Sequence, residues 1–361
     1  MRRFFILAML LLGATAQAQT LDPIVASAMA GTRTPALAAI VLENGKVADA
    51  VVHGVRRNDS PTPARLDDPW MIGSNGKVMT ATLIAKLVER GTLSWNARLA
   101  DVLPDMASSM RPEYQSVTLA QLLSHTSGLP HDVGDDRFFT SFYDDKRPAS
   151  QQRISYIARA LADPPVTTPG TYSYGNTDYI VAAAVAERLT GHSYEQLMRR
   201  EVFAPLGMAS ASFGPTQAGQ PVGHHDGRPA DSPQDWNPLF FAPAGNIHMS
   251  MGDWAKFCAD QLAGARGKGK LLSAASYRLM QTPLQNTETG LGWGVVDSVM
   301  GHRGPALTHA GSDGNWYAVV VLFPQTGNGV LVAANAGEDM GGDKAAKAVV
   351  QAVLPELAAP K

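Results

Sequence analysis

Met71-Ile72-Gly73-Ser74-Asn75-Gly76-Lys77, running on as Val78-Met79-Thr80-Ala81-Thr82-Leu83-Ile84-Ala85-Lys86-Leu87-Val88, decides how the chain is read. Apolar residues follow Lys77 on almost every side of a helical wheel. The pattern therefore predicts a buried helix with Ser74 at its mouth and Gly91 as its C-terminal stop. Residues three apart share a helix face, which puts the Lys77 amine within reach of the Ser74 hydroxyl. Unpaired N–H groups and the positive end of the helix dipole gather at such a mouth and favour negative charge. A serine hydroxyl is a weak nucleophile until a base takes its proton, and burial lowers a lysine's pKa towards that task. The pair reads as a nucleophile beside its base; the plain alternative is a capping serine one turn before a surface lysine.

Upstream, Leu21 to Ala30 suits a short helix. Ala36 to Leu42 and Lys46 to Val55 flank Asn44-Gly45, a strong hairpin signal. Downstream, from about Trp95 to Met208, helical periodicity dominates, in segments starting near Thr118, Ala149, Asn176 and Ser193. His131 to Arg147 interrupts them as an irregular stretch in which Asp132, Asp135, Asp136, Phe138, Phe139, Phe142 and Tyr143 mix acid and aromatic groups suited to lining a cleft. Gly214 to Gly245 carries only turn signals, and loops of that length usually serve a site or move, so it is assigned to the cleft rim. Strand-like runs return at Leu291 to Asp297, Ala306 to His309, Asn315 to Phe323 and Val330 to Ala334, before a closing helix from Lys344 to Leu354. The expected fold is α+β: an antiparallel sheet flanked by helices plus a mainly helical second domain, with the cleft at their junction. Residues 19–95 and 245–361 are expected to form the α/β domain and residues 96–244 the helical one.

The 361 residues are 45% hydrophobic and 17% charged with a net charge of −2, so no basic surface argues for nucleic acid. Met1-Arg2-Arg3, the apolar run Phe4 to Leu12 and the small residues up to Ala18 have the anatomy of a secretory signal peptide over residues 1–18. That run is too short to span a membrane, and no cysteine follows it to carry a lipid. The expected product is an exported protein, periplasmic or secreted, without a stable membrane anchor. Cys258 is the only cysteine, which excludes an internal disulfide and a Cys-rich metal site. His224-His225-Asp226 lacks helical ligand spacing and His-Glu-x-x-His is absent, so no metal site is assigned.

A serine nucleophile also needs a proton route to the leaving group and a site for the oxyanion. Tyr174-Gly175-Asn176 is the chain's only Tyr-x-Asn. A tyrosine near two cationic groups can pass a proton, and the asparagine amide can bind a substrate carbonyl or fix Lys77. His309-Ala310-Gly311 ends a strand-like run, its glycine letting substrate approach the backbone. His225-Asp226-Gly227 and His302-Arg303-Gly304 share the His-x-Gly pattern, but only His309 has that setting. The backbone N–H groups of Ser74 and Ser312 are the expected oxyanion donors. Catalytic roles thus fall to Ser74, Lys77 and Tyr174, and substrate contacts to Asn176, His309, Gly311 and Ser312, with no cofactor required. Which of Lys77 and Tyr174 is the general base stays open.

In this order and spacing the three motifs resemble those of the penicillin-recognising serine hydrolases, the group of class C β-lactamases, DD-peptidases and esterases. Val117-Thr118-Leu119-Ala120-Gln121-Leu122-Leu123-Ser124-His125-Thr126-Ser127-Gly128-Leu129-Pro130, Pro205-Leu206-Gly207-Met208 and Gly290-Leu291-Gly292-Trp293-Gly294 are similar to recurring stretches of that family. The resemblance implies an acyl-enzyme on Ser74 that water hydrolyses, formed from a small ester, amide or peptide substrate. One departure matters: where β-lactamases of this group carry Lys-Thr-Gly, this chain has no Lys-x-Gly at all. An imidazole is only partly charged near neutrality, so a substrate carboxylate loses part of its anchor. Weak or absent β-lactam hydrolysis and activity on an ester or peptide-like amide are the expectation, with a true class C-like β-lactamase as the alternative. A protein of the same fold that binds acyl groups without turnover is the rival.

Overall fold

A computed structural model describes residues 20–358 except 135, 285 and 286. The expected signal peptide, residues 1–18, lies outside the described residues. Seven strands form one antiparallel sheet: β1 (Ala36–Glu43), β2 (Lys46–Arg57), β3 (Ser60–Pro63), β4 (Gly294–Val299), β5 (His302–Ser312), β6 (Tyr317–Phe323) and β7 (Asn328–Ala334), in the order β3-β2-β1-β7-β6-β5-β4. Strands from the two ends of the chain meet where β1 pairs with β7, Leu37 opposite Ala334 and Leu42 opposite Gly329. The antiparallel sheet with flanking helices is the α+β class that the sequence pattern predicts.

Side chains alternate across a strand, and the core divides accordingly. Leu37 and Ala39 of β1, with Val330 and Val332 of β7, face α1 (Leu21–Met29) and α6 (Gly342–Ala358). Ala36, Ala38 and Ile40, with Leu331 and Ala333, face the helical part of the molecule. At the centre of that second core runs α2 (Gly76–Glu89), eleven of whose fourteen residues are buried. A helix apolar all round is stable only when surrounded. Its neighbours include α4 (Thr177–Thr190), itself buried continuously from Thr177 to Ala186, while α3 (Ala149–Ala162) packs along α4 and α5 (Met251–Ala265) lies against the sheet.

Two strands depart furthest from the bounds expected from the sequence pattern. β4 starts at Gly294 rather than Leu291, because the Gly290 N–H closes a turn onto the Trp293 carbonyl. Gly292 (φ +89) presses on α2, where a Cβ would stand 2.9 Å from that of Ala81. β5 is longer than Ala306 to His309, since neighbours on both sides extend its ladder. Its register with β4 shifts between Arg303 and Ala306, where Pro305 has no N–H to donate. The stretch His131 to Arg147 contains a short helix, Asp136–Thr140, and a 3₁₀ turn, Ser141–Tyr143. Gly214 to Gly245 contains the paired strands His224–His225 and Arg228–Pro229, two 3₁₀ turns and a short helix, Ala242–Gly245.

Candidate active site

Ser74 sits in a 3₁₀ turn, Gly73–Asn75, that leads directly into α2. The turn is locked to the sheet. Asn75 Nδ2 donates to the carbonyls of Ile72 (2.7 Å) and of Ala318 on β6 (3.1 Å). Gly73 adopts φ +52 and lies back to back with Gly311 of β5. A Cβ on Gly73 would come 2.8 Å from the Ser312 nitrogen, and one on Gly311 would come 2.5 Å from the Ser74 nitrogen. Only two glycines allow this approach, which sets the Ser74 and Ser312 amides side by side. The sequence reading had Gly311 making room for substrate; the group it makes room for is the nucleophile's own turn.

Lys77 is fully buried and ends in three short contacts: Ser74 Oγ at 2.9 Å, Asn176 Oδ1 at 2.7 Å and the Ala244 carbonyl at 2.6 Å. Burial pushes its pKa down to about 7, partly offset by the carboxylate of Asp132. Asn176 precedes the first turn of α4 and spends both ends of its amide on protein. Its Oδ1 receives Lys77, while its Nδ2 donates to both carboxylate oxygens of Asp132 at 3.2 Å. Of the two roles open to it from sequence, this is the one of fixing Lys77.

Tyr174 lines the same cleft as Ser74, and its ring centroid is 5.0 Å from Lys77 Nζ. Burial raises its pKa to about 12, so it holds its proton at neutral pH. The segment carrying it is templated by His125 and His131. Ser173 N–H donates to the His125 carbonyl at 2.8 Å, Gly175 N–H to His125 Nδ1 at 3.2 Å, and Asn176 N–H to the His131 carbonyl at 2.8 Å. A buried ring therefore stands behind Tyr174, with centroids 4.4 Å apart.

A cleft of about 440 Å³ opens over Ser74. Tyr174, Asn176, His131, Asp132, Phe139, Asn237, Phe241, Ala310, Ser312 and Asp313 line it, and none of these is Lys or Arg. His309 is not among them. Its Nδ1 donates to the Ala310 carbonyl at 2.8 Å, and burial, then the nearby Lys77, pushes its pKa well down. The shift is away from the charged form although the ring is only half-buried, so the cation-capable group expected from the His-x-Gly motif is a weak cation at best.

Several participants carry no usable sequence signal. Asp132 falls within the acidic and aromatic stretch already marked as cleft-like, but the Ala244 carbonyl is backbone. Asp178 meets its partner His125 across 53 residues of chain. Asp313 accepts N–H bonds from Asn315 and Trp316, both at 2.9 Å. Burial pushes its carboxyl up to about 6. Among the described residues no group of three or more His, Cys, Asp or Glu is arranged to hold a metal. His224 is a satisfied core histidine, donating from Nδ1 to the Asn335 carbonyl at 2.7 Å and accepting the Asn58 N–H at 3.1 Å.

Comparison with known proteins bears on the family and the fold. The chain is 30% identical over 322 residues to penicillin-binding protein 4 of Amycolatopsis lactamdurans, covering 83% of this chain and 80% of that one. It is 31% identical over 241 residues to the putative penicillin-binding protein PbpX of Bacillus subtilis, where the match spans 65% of this chain but only 56% of PbpX. The crystal structure of a D-stereospecific amidohydrolase from Streptomyces superposes with a TM-score of 0.69 at 22% identity, over 92% of this chain and 96% of that one, a likeness of fold. Residues 21–354 match the family described as Beta-lactamase, and the chain belongs to that family of serine hydrolases, which includes the penicillin-binding proteins.

Proposed function

We propose that the protein is an exported serine hydrolase that cleaves an ester or peptide-like amide through an acyl-enzyme on Ser74. The arrangement around Lys77 carries this reading. A neutral amine has two N–H groups and one lone pair. Asn176 Oδ1 and the Ala244 carbonyl can only accept, so they take the two hydrogens, and the lone pair is left for the one neighbour able to donate, the Ser74 hydroxyl. With a pKa lowered to about 7, a large fraction of Lys77 is in that form near neutrality.

Catalysis then runs as follows. Lys77 takes the Ser74 proton as Oγ bonds to the substrate carbonyl carbon, and the amides of Ser74 and Ser312 receive the oxyanion. Tyr174, still protonated, gives its proton to the leaving oxygen or nitrogen as that bond breaks, and the neighbouring Lys77 ammonium returns a proton to the phenolate, which leaves both groups as they began. Water repeats the attack on the acyl-enzyme. This ordering makes Lys77 the base and Tyr174 the acid.

The cleft's charge supports a non-β-lactam substrate. Asp132 and Asp313 face it, no Lys or Arg lines it, and the one lining histidine, His131, is held by Asp132 at 2.6 Å, so a substrate carboxylate finds no free standing cation to anchor it. D-amino-acid amides belong on the substrate panel because of the Streptomyces amidohydrolase of like fold. Export is supported by the Arg-Arg, apolar and Ala-rich order of residues 1–18.

Intact-mass measurement after a fluorophosphonate, together with rates on short acyl esters, D-amino-acid amides and nitrocefin from about pH 5 to about pH 9, tests the proposal. Labelling lost in Ser74→Ala and turnover of an ester or amide are expected. Efficient nitrocefin turnover with no ester or amide activity would overturn the substrate reading, and a label that is never released from any substrate would replace the enzyme with an acyl-binding protein.

A further inference from the structure

Behind Tyr174 lies a buried cluster that the reaction above does not use. Asp178, in the first turn of α4, is fully buried. Its Oδ1 accepts the Ser127 hydroxyl at 2.5 Å, and its Oδ2 is 2.9 Å from His125 Nδ1. That same Nδ1 already accepts the Gly175 N–H at 3.2 Å. An imidazole nitrogen that accepts a hydrogen bond carries no hydrogen, so with Gly175 donating to Nδ1 we assign the proton between Nδ1 and Oδ2 to the carboxyl group, the two donors sharing the one lone pair. Were Asp178 ionised, two lone-pair atoms would face each other in a site closed to water.

We propose that Asp178 is kept as a neutral carboxylic acid that donates to His125 Nδ1, and that it acts as a positioning residue for Tyr174 without adding negative charge beside Lys77. The inference rests on the reading of Lys77 as the base. His125 is the template for Tyr174 through the N–H bonds from Ser173 and Gly175 on either side and through tilted ring contact, and Asp178, itself held by Ser127, fixes His125 in turn. Gly175 fits the same geometry, since a Cβ there would come 3.3 Å from Asp178 Oδ2. The charged and titratable groups facing Asp178 are Lys77 from α2, His131 and His125 from the loops, and Tyr174 and Tyr179. An ionised Asp178 would raise the Lys77 pKa and bind the amine as an ammonium, which is no base. Burial favours the neutral acid in the same sense.

Asparagine reproduces the neutral acid, donating from Nδ2 to His125 and accepting from Ser127. In Asp178→Asn the acid limb of kcat/KM against pH on a short acyl ester is expected to stay within about 0.3 pH unit of wild type. In Asp178→Ala, where both bonds are lost, kcat is expected to fall at least about tenfold while KM changes little. A shift of the Asp178→Asn limb to lower pH by about one unit or more would overturn the proposal, because it would show that a carboxylate had been holding the Lys77 pKa up. Should that variant not fold, wild-type protein with ¹³C-labelled aspartate decides by infrared spectroscopy above about pH 8. A protonated-carboxyl band is expected, and its absence refutes the assignment. Ser74→Ala separates the two layers: if it still turns over, the hydrolase reading fails, whereas loss of turnover with a shifted Asp178→Asn limb sinks only the role given to Asp178.

Discussion

Replacing Gly311 by alanine tests whether the sheet holds the nucleophile in place. A Cβ at 311 would stand 2.4 Å from the Ile72 carbonyl oxygen and 2.5 Å from the Ser74 nitrogen, both backbone atoms that no rotamer change can move. Ordinary contact begins near 3.4 Å, so β5 and the Ser74 turn must separate by about 1 Å, the difference between 3.4 and 2.4. The two amides offered to the oxyanion sit on opposite sides of that contact and would part with it. Misplacement of this size costs about 10²-fold in rate, or about 2.7 kcal/mol of barrier. The assay is kcat/KM on a short acyl ester with a thermal melt in parallel. Gly252→Ala serves as the control, since its added Cβ meets nothing closer than the Ser250 hydroxyl at 4.0 Å. A folded Gly311→Ala protein that keeps activity within about threefold of wild type would refute the claim that this contact sets the oxyanion site.

Wild-type activity should fall about tenfold per pH unit on the acid side of about 7, as Lys77 takes up a proton, and Lys77→Ala should remove that limb together with most of the rate. Asp313, raised from 3.8 to about 6, favours the fold in its neutral form, so its stabilising effect is complete below pH 3.8 and lost as pH rises through about 6. Asp313→Asn should accordingly raise the melting temperature by a few degrees at pH 8 and leave it unchanged near pH 4, and should improve turnover of substrates bearing a carboxylate near the reacting bond. Arg153, wholly buried between Glu187 at 2.5 Å and Glu195 at 3.0 Å, lies away from the chemistry. Arg153→Ala should cost about 3–5 kcal/mol in denaturant unfolding by stranding those carboxylates.

Fold class and family could be read from local pattern because each signal is short-range. Asn44-Gly45 between two apolar runs gives the hairpin β1–β2, the all-round apolar sequence after Ser74 gives a central helix, and three short motifs name the chemistry. Ser74 and Lys77 were legible as a pair since one helical turn joins them. Strand ends at Leu291 and Ala306 were less legible, because pairing partners and the turn before β4, not propensity, set them.

What the linear chain determined by itself was therefore the presence of a hydroxyl, an amine, a phenol and an imidazole, and the one link made through a helix. Only the tertiary structure decided what those groups are. Burial brings the Lys77 ammonium into the neutral range, and two carbonyls aim its lone pair. Asp132, Asp178 and the Ala244 carbonyl enter the site from distant parts of the chain. Ionisation and hydrogen-bond direction depend on which groups share a water-free space, and separation along the chain does not record that.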